Sequence, residues 1–341
     1  MSTSLDRLAA RPLSRRGFLG AAGGVALGAA IGGARGAAAS THGEGNGVVT
    51  RDKLGVQLWS CLTAYEADTP ETFALIASTG YAFVEYAFGF GSLGTPKAFR
   101  KALDDTGLWC NGGHDLSPYP YSDKAWKQHV EDSMVIGVRG LGHNTSFPTT
   151  VSDTMKYVDA LHKGHEVARK MGFKGYIYNH MEAAQWNRLT DRPGTYAIEL
   201  VLQHTTPDVF ACELDSAHTL AALGSLNAVN NMIRKYPGRF PLLHMKDGFA
   251  PPYLPDGTIP VFPLNGAEFG TGDYGRPDIA DRKGRPHAGF QDLLTAVRES
   301  NNWNDVLLLA ESDGSQATNF DYTTLAYKGL NGLRFPYRNR H

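Results

Sequence analysis

The stretch Phe240-Pro-Leu-Leu-His-Met-Lys-Asp-Gly248 decides how the rest of this sequence is interpreted. A short apolar run carries a histidine and a lysine near its end, then breaks into Asp-Gly and a long loop rich in proline and glycine. This pattern is typical of a buried parallel strand whose carboxyl end delivers polar groups to a site. His244 and Lys246 are two residues apart, so strand alternation points both side chains the same way.

Two other short apolar runs end in acidic residues in the same manner. The run at residues 209–215 ends in Asp215, and the run at residues 306–311 ends in Glu311. Alone, such an Asp is often a helix cap, and a histidine at a strand end often belongs to the core. Together, Asp215, His244 and Glu311 offer oxygen and imidazole ligands of the kind that manganese, magnesium, cobalt or zinc takes. The sequence therefore predicts a divalent metal site.

Short apolar runs alternate with amphipathic, charged stretches from Lys53 onward. Alternating strands and helices predict a parallel sheet with helices outside, and eight repeats favour a closed barrel over an open sheet. The predicted fold is therefore α/β, a (β/α)8 TIM barrel, in a single domain at residues 53–341. The predicted strands lie at residues 54–59, 81–86, 107–111, 138–142, 175–178, 209–215, 240–248 and 306–311. The predicted helices begin at residues 69, 96, 122, 152, 196, 226, 290 and 320.

The amino-terminal region has the pattern of an export signal. Arg15 and Arg16 lie within Ser-Arg-Arg-Gly-Phe-Leu, and an Ala/Gly-rich run with a small-residue cleavage site follows. Paired arginines before a modest apolar region are typical of the twin-arginine pathway. We predict a signal peptide at residues 1–39, a linker at 40–52, and a periplasmic or extracellular mature protein. The apolar run is too rich in glycine for a stable membrane span.

The charge of the chain argues against a nucleic-acid partner. The formal net charge of the whole chain is −1. Residues 1–39 contain five arginines and one acid, so the remainder carries 28 basic and 33 acidic side chains, a net charge of −5. A mildly acidic body has no general attraction for phosphate backbones.

Polar residues gather at the predicted strand ends, which is where the active sites of such barrels lie. These residues are Glu85, His114, His143, His180, Glu182, Asp215, His218, His244, Lys246 and Glu311. In addition, Trp59 ends the first predicted strand, where an aromatic ring could stack on a sugar.

Several motifs resemble those of the xylose-isomerase-like barrels, a family of sugar isomerases and epimerases that also includes inosose dehydratase, ketose 3-epimerases and endonuclease IV. The resemblance spans about residues 53–330, and Leu-His-x-Lys-Asp is its most specific part. The matching segments are Gly55-Val-Gln-Leu, Val84-Glu85, Gly113-His114, Glu213-Leu-Asp215 with His218, Leu243-His-Met-Lys-Asp247, Glu268-Phe-Gly-x-Gly272-Asp and Glu311-Ser-Asp313.

The resemblance implies four metal ligands from strands five to eight. Asp215, His244 and Glu311 match three of them directly. Many relatives read Tyr-His-Asn-His-x-x-Glu-Phe at the fifth strand, where this chain reads Tyr-Asn-His-Met-Glu-Ala. His180 or Glu182 could supply the remaining ligand.

The implied chemistry is proton abstraction beside a carbonyl, with Lys246 as electrophile and Glu311, Glu182 or His180 moving the proton. The predicted substrate-binding residues are His114, His218, Glu85 and Trp59. We predict an isomerase or epimerase, or a lyase or dehydratase, acting on a non-phosphorylated sugar, cyclitol or keto-glycoside. The alternative is an inactive carbohydrate-binding barrel, and either could form homo-oligomers.

The prediction of an unphosphorylated substrate depends on the lack of a recognisable phosphate cradle. A phosphorylated sugar calls for a glycine-rich loop at a helix start or for clustered arginines near strands seven and eight. The basic residues of that region form one polar run, which is more simply a solvated loop. They are Arg276, Arg282, Lys283 and Arg285.

Overall fold

Eight parallel strands surround a common interior in the computed structural model, and helices connect them. The structure describes residues 49–182, 185–247, 289–312 and 320–333. The strands are β1 (Leu54–Gln57), β2 (Phe83–Tyr86), β3 (Trp109–Gly113), β4 (Gly140–His143), β5 (Tyr176–Met181), β6 (Phe210–Asp215), β7 (Leu242–Met245) and β8 (Leu307–Ala310). The helices are α1 (Leu62–Ala67), α2 (Thr69–Thr79), α3 (Pro96–Thr106), α4 (Asp123–Ile136), α5 (Val151–Lys170), α6 (Ala197–His204), α7 (Ser216–Leu223), α8 (Leu226–Lys235), α9 (Phe290–Ser300) and α10 (Phe320–Gly332).

The sheet curves round into a nearly closed barrel. Its strand order is β3-β2-β1-β8-β7-β6-β5-β4, so β1 and β8 pair although they come from opposite ends of the chain. At the remaining seam, Asp115 beyond β3 forms a parallel bridge with His143 of β4, and the Arg139 backbone N–H donates to the Asn111 carbonyl at 2.9 Å. The predicted (β/α)8 architecture is confirmed.

Glycines at two helix ends explain why the strands that follow them begin later than predicted. Gly107 and Gly137 have φ values of 71° and 80° and cap α3 and α4 in the left-handed conformation, which glycine adopts without steric cost. Strands β3 and β4 therefore begin at Trp109 and Gly140, two residues after their predicted starts. The first predicted strand also ends early, at Gln57, whose side chain accepts from the backbone N–H of Trp59 and starts a 3-10 turn.

Two short helices were not predicted. Helix α1 follows the turn after β1, and α7 begins directly after β6. Asp215 caps α7, because its Oδ1 accepts from the backbone N–H of His218 at 2.8 Å. Asp215 therefore ends a strand and starts a helix, which fixes the direction of its carboxylate.

Side chains fill the barrel interior in layers, because every second residue of a strand points inward. A tyrosine from β5, Tyr178, occupies much of the middle layer, and β4 accommodates its ring with glycines. A Cβ atom on Gly140 would lie 2.8 Å from that ring. The apolar part of the interior, separate from the core between sheet and helices, consists of Phe83, Tyr178, Ala211, Leu242, Leu307 and Leu309.

Several predicted features lie outside the described residues. They are the signal peptide, nearly all of the linker, the segment Glu268-Phe-Gly-x-Gly272-Asp, the basic run at residues 276–285, and Asp313. Among the helices that the structure does describe, none combines the length and apolar character needed to cross a membrane.

Candidate metal centre and active site

Four buried side chains converge at the carboxyl ends of β5 to β8. His180 lies in β5, Asp215 ends β6, His244 lies in β7, and Glu311 follows β8. The strand register pairs Asp215 with His244. One ligand atom from each of the four residues lies within 4.8 Å of the others, so this group could hold a metal ion.

The nitrogen and oxygen atoms of this group lie close together. His180 Nε2 lies 3.4 Å from Asp215 Oδ2 and 3.9 Å from Glu311 Oε2. His244 Nδ1 contacts Glu311 Oε2. Within the described residues, His180 Nε2 is buried and has no hydrogen bond of acceptable geometry. Buried polar atoms are normally hydrogen-bonded, so this convergence of nitrogen and oxygen donors fits a divalent cation.

A buried lysine completes the group. Lys246 Nζ lies 3.0 Å from Asp215 Oδ2 and 3.2 Å from Glu311 Oε1. Its backbone N–H donates to Ser216 Oγ at 2.9 Å, which ties the end of β7 to the start of α7. The lysine therefore brings one positive charge to two carboxylates in a site shielded from solvent.

The charges around Asp215 and Glu311 keep both carboxylates ionised. Burial raises the pKa of Asp215, but the positive charges of Lys246 and His218 outweigh burial and hold that pKa well below its usual value. Burial likewise raises the pKa of Glu311, and Lys246 and His244 bring it below the usual range. Ionised carboxylates are the form that binds metal ions.

Glu182 lies on the other side of His180, outside this group. Its Oε1 is 3.3 Å from His180 Nδ1 and accepts from Asn144 Nδ2 at 2.6 Å. Burial raises the pKa of Glu182, but interactions with His180 dominate and lower it to about 2. Of the two residues predicted as alternatives for the remaining ligand, His180 therefore lies among the ligand atoms and Glu182 lies behind it.

A second polar layer lies deeper in the barrel, on the inner side of His244. His244 Nε2 is 2.8 Å from Glu85 Oε2 and 3.1 Å from Glu213 Oε1. His114 Nε2 is 2.9 Å from Glu213 Oε2. The Tyr178 hydroxyl donates to Glu85 Oε1. His244 therefore connects the two layers through its two ring nitrogens.

Carboxylates and imidazoles of the deeper layer shift one another's protonation. Burial lowers the pKa of His114, but Glu85 and Glu213 outweigh burial and raise it to about 10. Burial also lowers the pKa of His244, which Glu213 and Glu311 raise well above its usual value. Burial raises the pKa of Glu85, while the charge of His114 and hydrogen bonds from both histidines bring it well below the usual value. These shifts favour the protonated forms of both histidines, and a cation bound by the upper group, which consists of His180, Asp215, His244 and Glu311, would compete with the proton of His244.

Two of the predicted substrate-binding residues, His114 and His218, lie against His180 of the upper group. The His114 ring stacks on the His180 ring, with centroids 4.5 Å apart, and the His218 ring lies 6.2 Å from His180. Trp59 meets Phe88 edge to face at 5.9 Å, and Phe88 is 59 % exposed. Glu85 is fully buried in the deeper layer. The substrate-binding roles of these residues remain predictions.

His143 does not join either layer, although it ends a strand. Its Nε2 is 2.8 Å from the Tyr157 hydroxyl on α5, so the ring points away from the barrel interior. Burial, with some repulsion from His129 and His114, lowers the pKa of His143 to about 3. His143 therefore stays neutral in a structural contact between sheet and helix.

Three interior residues escaped the sequence analysis as members of the site: Gln57, Tyr178 and Glu213. Tyr178 and Glu213 lie inside β5 and β6, and Gln57 ends β1 but lies inside the longer strand predicted at residues 54–59. Strand alternation could have found two of them, because Tyr178 is two residues before His180 and Glu213 is two before Asp215.

Comparison with known proteins relates the chain to other barrels by structure. No family model matches the sequence, and no curated protein matches it. A sugar phosphate isomerase/epimerase from Parabacteroides distasonis aligns over 82 % of this chain and 98 % of its own, with a TM-score of 0.62 and 18 % identity. A xylose isomerase domain protein from Planctomyces limnophilus covers 81 % and 95 % of the two chains, with a TM-score of 0.54 and 13 % identity.

A third similar structure is the probable 3-DHS dehydratase AsbF of Bacillus anthracis. It covers 82 % of this chain and 97 % of its own, with a TM-score of 0.56 and 13 % identity. At such low identities the likeness concerns the fold alone. The chain thus has the fold of the xylose-isomerase-like TIM barrels.

Proposed function

We propose that this protein is a divalent-metal-dependent isomerase or epimerase of a non-phosphorylated sugar, cyclitol or keto-glycoside, with elimination as a variant of the same chemistry. The observation that carries the proposal is the convergence of His180, Asp215, His244 and Glu311 beside Lys246 at the carboxyl ends of the strands. The fold supports it, since solved sugar isomerases and a dehydratase share this barrel.

The four converging residues would hold the metal, in agreement with the predicted set and with His180 as the remaining ligand. A bound divalent cation supplies Lewis acidity, which polarises a substrate carbonyl and acidifies the neighbouring C–H bond. Nitrogen and oxygen donors of this kind suit manganese, magnesium, cobalt or zinc.

Lys246 is placed to stabilise negative charge that develops on a substrate oxygen. Its ammonium group is fixed between two carboxylates, so it needs no reorganisation when that charge appears. Such preorganised donors contribute most where water is excluded, and Lys246 is only 2 % exposed.

Glu182 is the best placed described residue to move the substrate proton. Its side chain is 28 % exposed, whereas those of Asp215 and Glu311 are 0 % and 4 % exposed. Of these three carboxylates it is therefore the one most accessible to a molecule from solvent. The pKa of Glu182 depends on His180, because interactions with that ring lower it against the effect of burial. A neutral His180 makes Glu182 a stronger base.

The sequence supports export and an unphosphorylated substrate as further parts of the proposal. The twin-arginine leader directs the folded protein out of the cytoplasm, away from most sugar phosphates. The acidic body adds no general attraction for a phosphorylated ligand.

The second candidate is a barrel that binds carbohydrate without catalysis. The sequence of the fifth strand, which carries His180, favours this candidate. His180 takes a place at which many relatives carry a carboxylate, so one potential acid–base group is missing from the ligand set. In that case, the residues would bind a carbohydrate without turning it over.

Solvent hydrogen exchange tests the proposal. Metal-loaded protein is incubated in heavy water with neutral keto-sugars, keto-glycosides and matched sugar phosphates, and deuterium beside the carbonyl is measured by NMR. We expect deuterium in the neutral set. Exchange with the phosphorylated set alone would contradict the substrate class, and saturable binding without exchange would favour the second candidate.

A further inference from the structure

The deeper layer suggests a role for a glutamate that does not reach the barrel mouth. We propose that Glu85 is a positioning residue: it accepts a hydrogen bond from His244 Nε2 and thereby turns the Nδ1 lone pair toward His180, Asp215 and Glu311. The inference rests on the metal site of the proposed function. It assigns Glu85 a positioning role in place of the substrate-binding role that the sequence predicted.

The two nitrogens of His244 have different surroundings. Nε2 is 2.8 Å from Glu85 Oε2 with good hydrogen-bond geometry, whereas Nδ1 lies among the ligand atoms of the upper group and contacts Glu311 Oε2. A neutral imidazole has one N–H and one lone pair. Glu311 belongs to the residues that would hold the cation and Glu85 does not, so with a cation bound the favoured tautomer has its proton on Nε2 toward Glu85 and its lone pair on Nδ1.

Glu85 is itself held on both oxygens. Its Oε1 accepts from the Tyr178 hydroxyl, and its Oε2 also accepts from Gln57 Nε2 at 3.2 Å. Gln57 is oriented in turn, because its Oε1 accepts from the Trp59 backbone N–H at 2.9 Å. Bonds from β1 and β5 therefore fix a β2 carboxylate that orients a β7 histidine.

Proximity alone would allow a second metal in the deeper layer. Ligand atoms of Glu85, His114, Glu213 and His244 also lie within 4.8 Å of one another. Their geometry differs from that of the upper group, however. Glu85, His114 and the Nε2 of His244 all form hydrogen bonds within this layer, and Glu213 bonds His114 through Oε2, whereas His180 Nε2 in the upper group has no hydrogen bond of good geometry among the described residues. The deeper layer is thus built as a hydrogen-bonded support.

Comparing Glu85 with Glu213 distinguishes the effect of a hydrogen bond to His244 Nε2 from the effect of a nearby negative charge. Both carboxylates are fully buried near His244 Nε2. Glu85 forms a proper hydrogen bond to that nitrogen, but Glu213 Oε1, at 3.1 Å, does not and serves His114 through its other oxygen. A positioning role predicts unequal effects of neutralising the two residues, whereas a charge effect predicts equal ones.

The test measures Co²⁺ affinity and stoichiometry by absorption titration of the full-length protein. Glu85→Gln replaces a charged acceptor by a neutral amide whose –NH₂ group must face Tyr178 or His244, so the charge-assisted bond to His244 is weakened or lost. We expect 10- to 100-fold weaker binding, the range typical of outer-shell partners of metal ligands. Glu213→Gln should weaken binding much less. Tyr157→Phe removes a buried hydrogen bond to His143 elsewhere in the barrel and should leave affinity unchanged.

A spectroscopic readout separates positioning from a loss of packing. In the Zn²⁺-loaded protein with ¹⁵N-labelled histidine, the His244 signal, assigned with His244→Gln, should show its proton on Nε2. That proton should become exchange-broadened or lost in Glu85→Gln while circular dichroism stays unchanged.

Three results would overturn the inference: wild-type affinity in Glu85→Gln, equal losses in the two glutamate variants, or two Co²⁺ per chain of which Glu85→Gln loses one. Absence of any binding by the wild type would refute the metal site itself. Because the readout is metal binding, a wild type that binds Co²⁺ but exchanges no substrate proton would refute the enzyme and leave this inference standing.

Discussion

Asp215 performs two tasks that two substitutions can separate. Its Oδ2 faces the upper group, and its Oδ1 caps α7 by accepting from the His218 backbone N–H at 2.8 Å. Asp215→Asn keeps an oxygen for the cap but removes the charge, whereas Asp215→Ala removes both. Each variant loses the contact with Lys246, so that cost cancels when the two are compared.

The structure gives the expected size of both effects. Loss of a direct ligand should weaken metal binding by more than about 100-fold, the upper end for outer-shell partners, in both variants. Loss of the cap should cost Asp215→Ala about 1 kcal/mol more than Asp215→Asn. For a domain of this size that difference corresponds to about 2–4 °C in Tm.

The assay combines metal content after gel filtration with thermal unfolding in a chelator, which removes the stabilisation that bound metal gives. Stoichiometric metal in folded Asp215→Asn would place the site elsewhere. Equal Tm values for the two variants would show that the cap contributes nothing.

Three further predictions follow from the site, the deeper layer and the leader. Lys246→Met should lower kcat by about 10²–10³, as expected for a lost donor to a developing oxyanion, while metal content stays at wild-type level; an unchanged kcat would remove Lys246 from the chemistry. The raised pKa of His114, about 10 against an ordinary 6.5, contributes stability that is fully present below pH 6.5 and lost as pH rises through 10. Thermal unfolding of the metal-free protein should therefore show Tm falling across that window, and a slope just as steep in His114→Gln would assign the loss to other groups. Changing Arg15 and Arg16 to Lys should trap precursor in the cytoplasm, as fractionation would show, and normal export of that double variant would contradict the twin-arginine assignment.

The sequence predicted the barrel because its strands are short apolar runs that end in polar residues. The run before Asp215 and the run before Glu311 carry this pattern as clearly as the one containing His244. Local chemistry also places ligands at strand ends, and His180, Asp215, His244 and Glu311 are brought together in the structure. These features depend on alternation along one strand, which a sequence displays directly.

The hydrogen bonds of the deeper layer were missed because they depend on the register between distant strands, although Glu85, His114 and His244 were predicted as site residues. Glu85 and Tyr178 are 93 residues apart, yet they form one hydrogen bond inside the barrel. Nothing local shows that an internal glutamate such as Glu213 has an imidazole partner. His143 shows the opposite error: it ends a strand, but its side chain points toward Tyr157, because Gly140 and Gly142 take the inward positions of β4.

The metal centre is the central claim, and anomalous scattering tests it most directly. Crystals of the full-length protein grown with Mn²⁺ or Zn²⁺ would be measured above and below the absorption edge of the metal. We predict one peak per chain, bounded by His180 Nε2, Asp215 Oδ2, His244 Nδ1 and Glu311 Oε2. An anomalous peak between Glu85 and Glu213 would contradict the account. So would the absence of any anomalous peak from crystals saturated with Mn²⁺ and from crystals saturated with Zn²⁺.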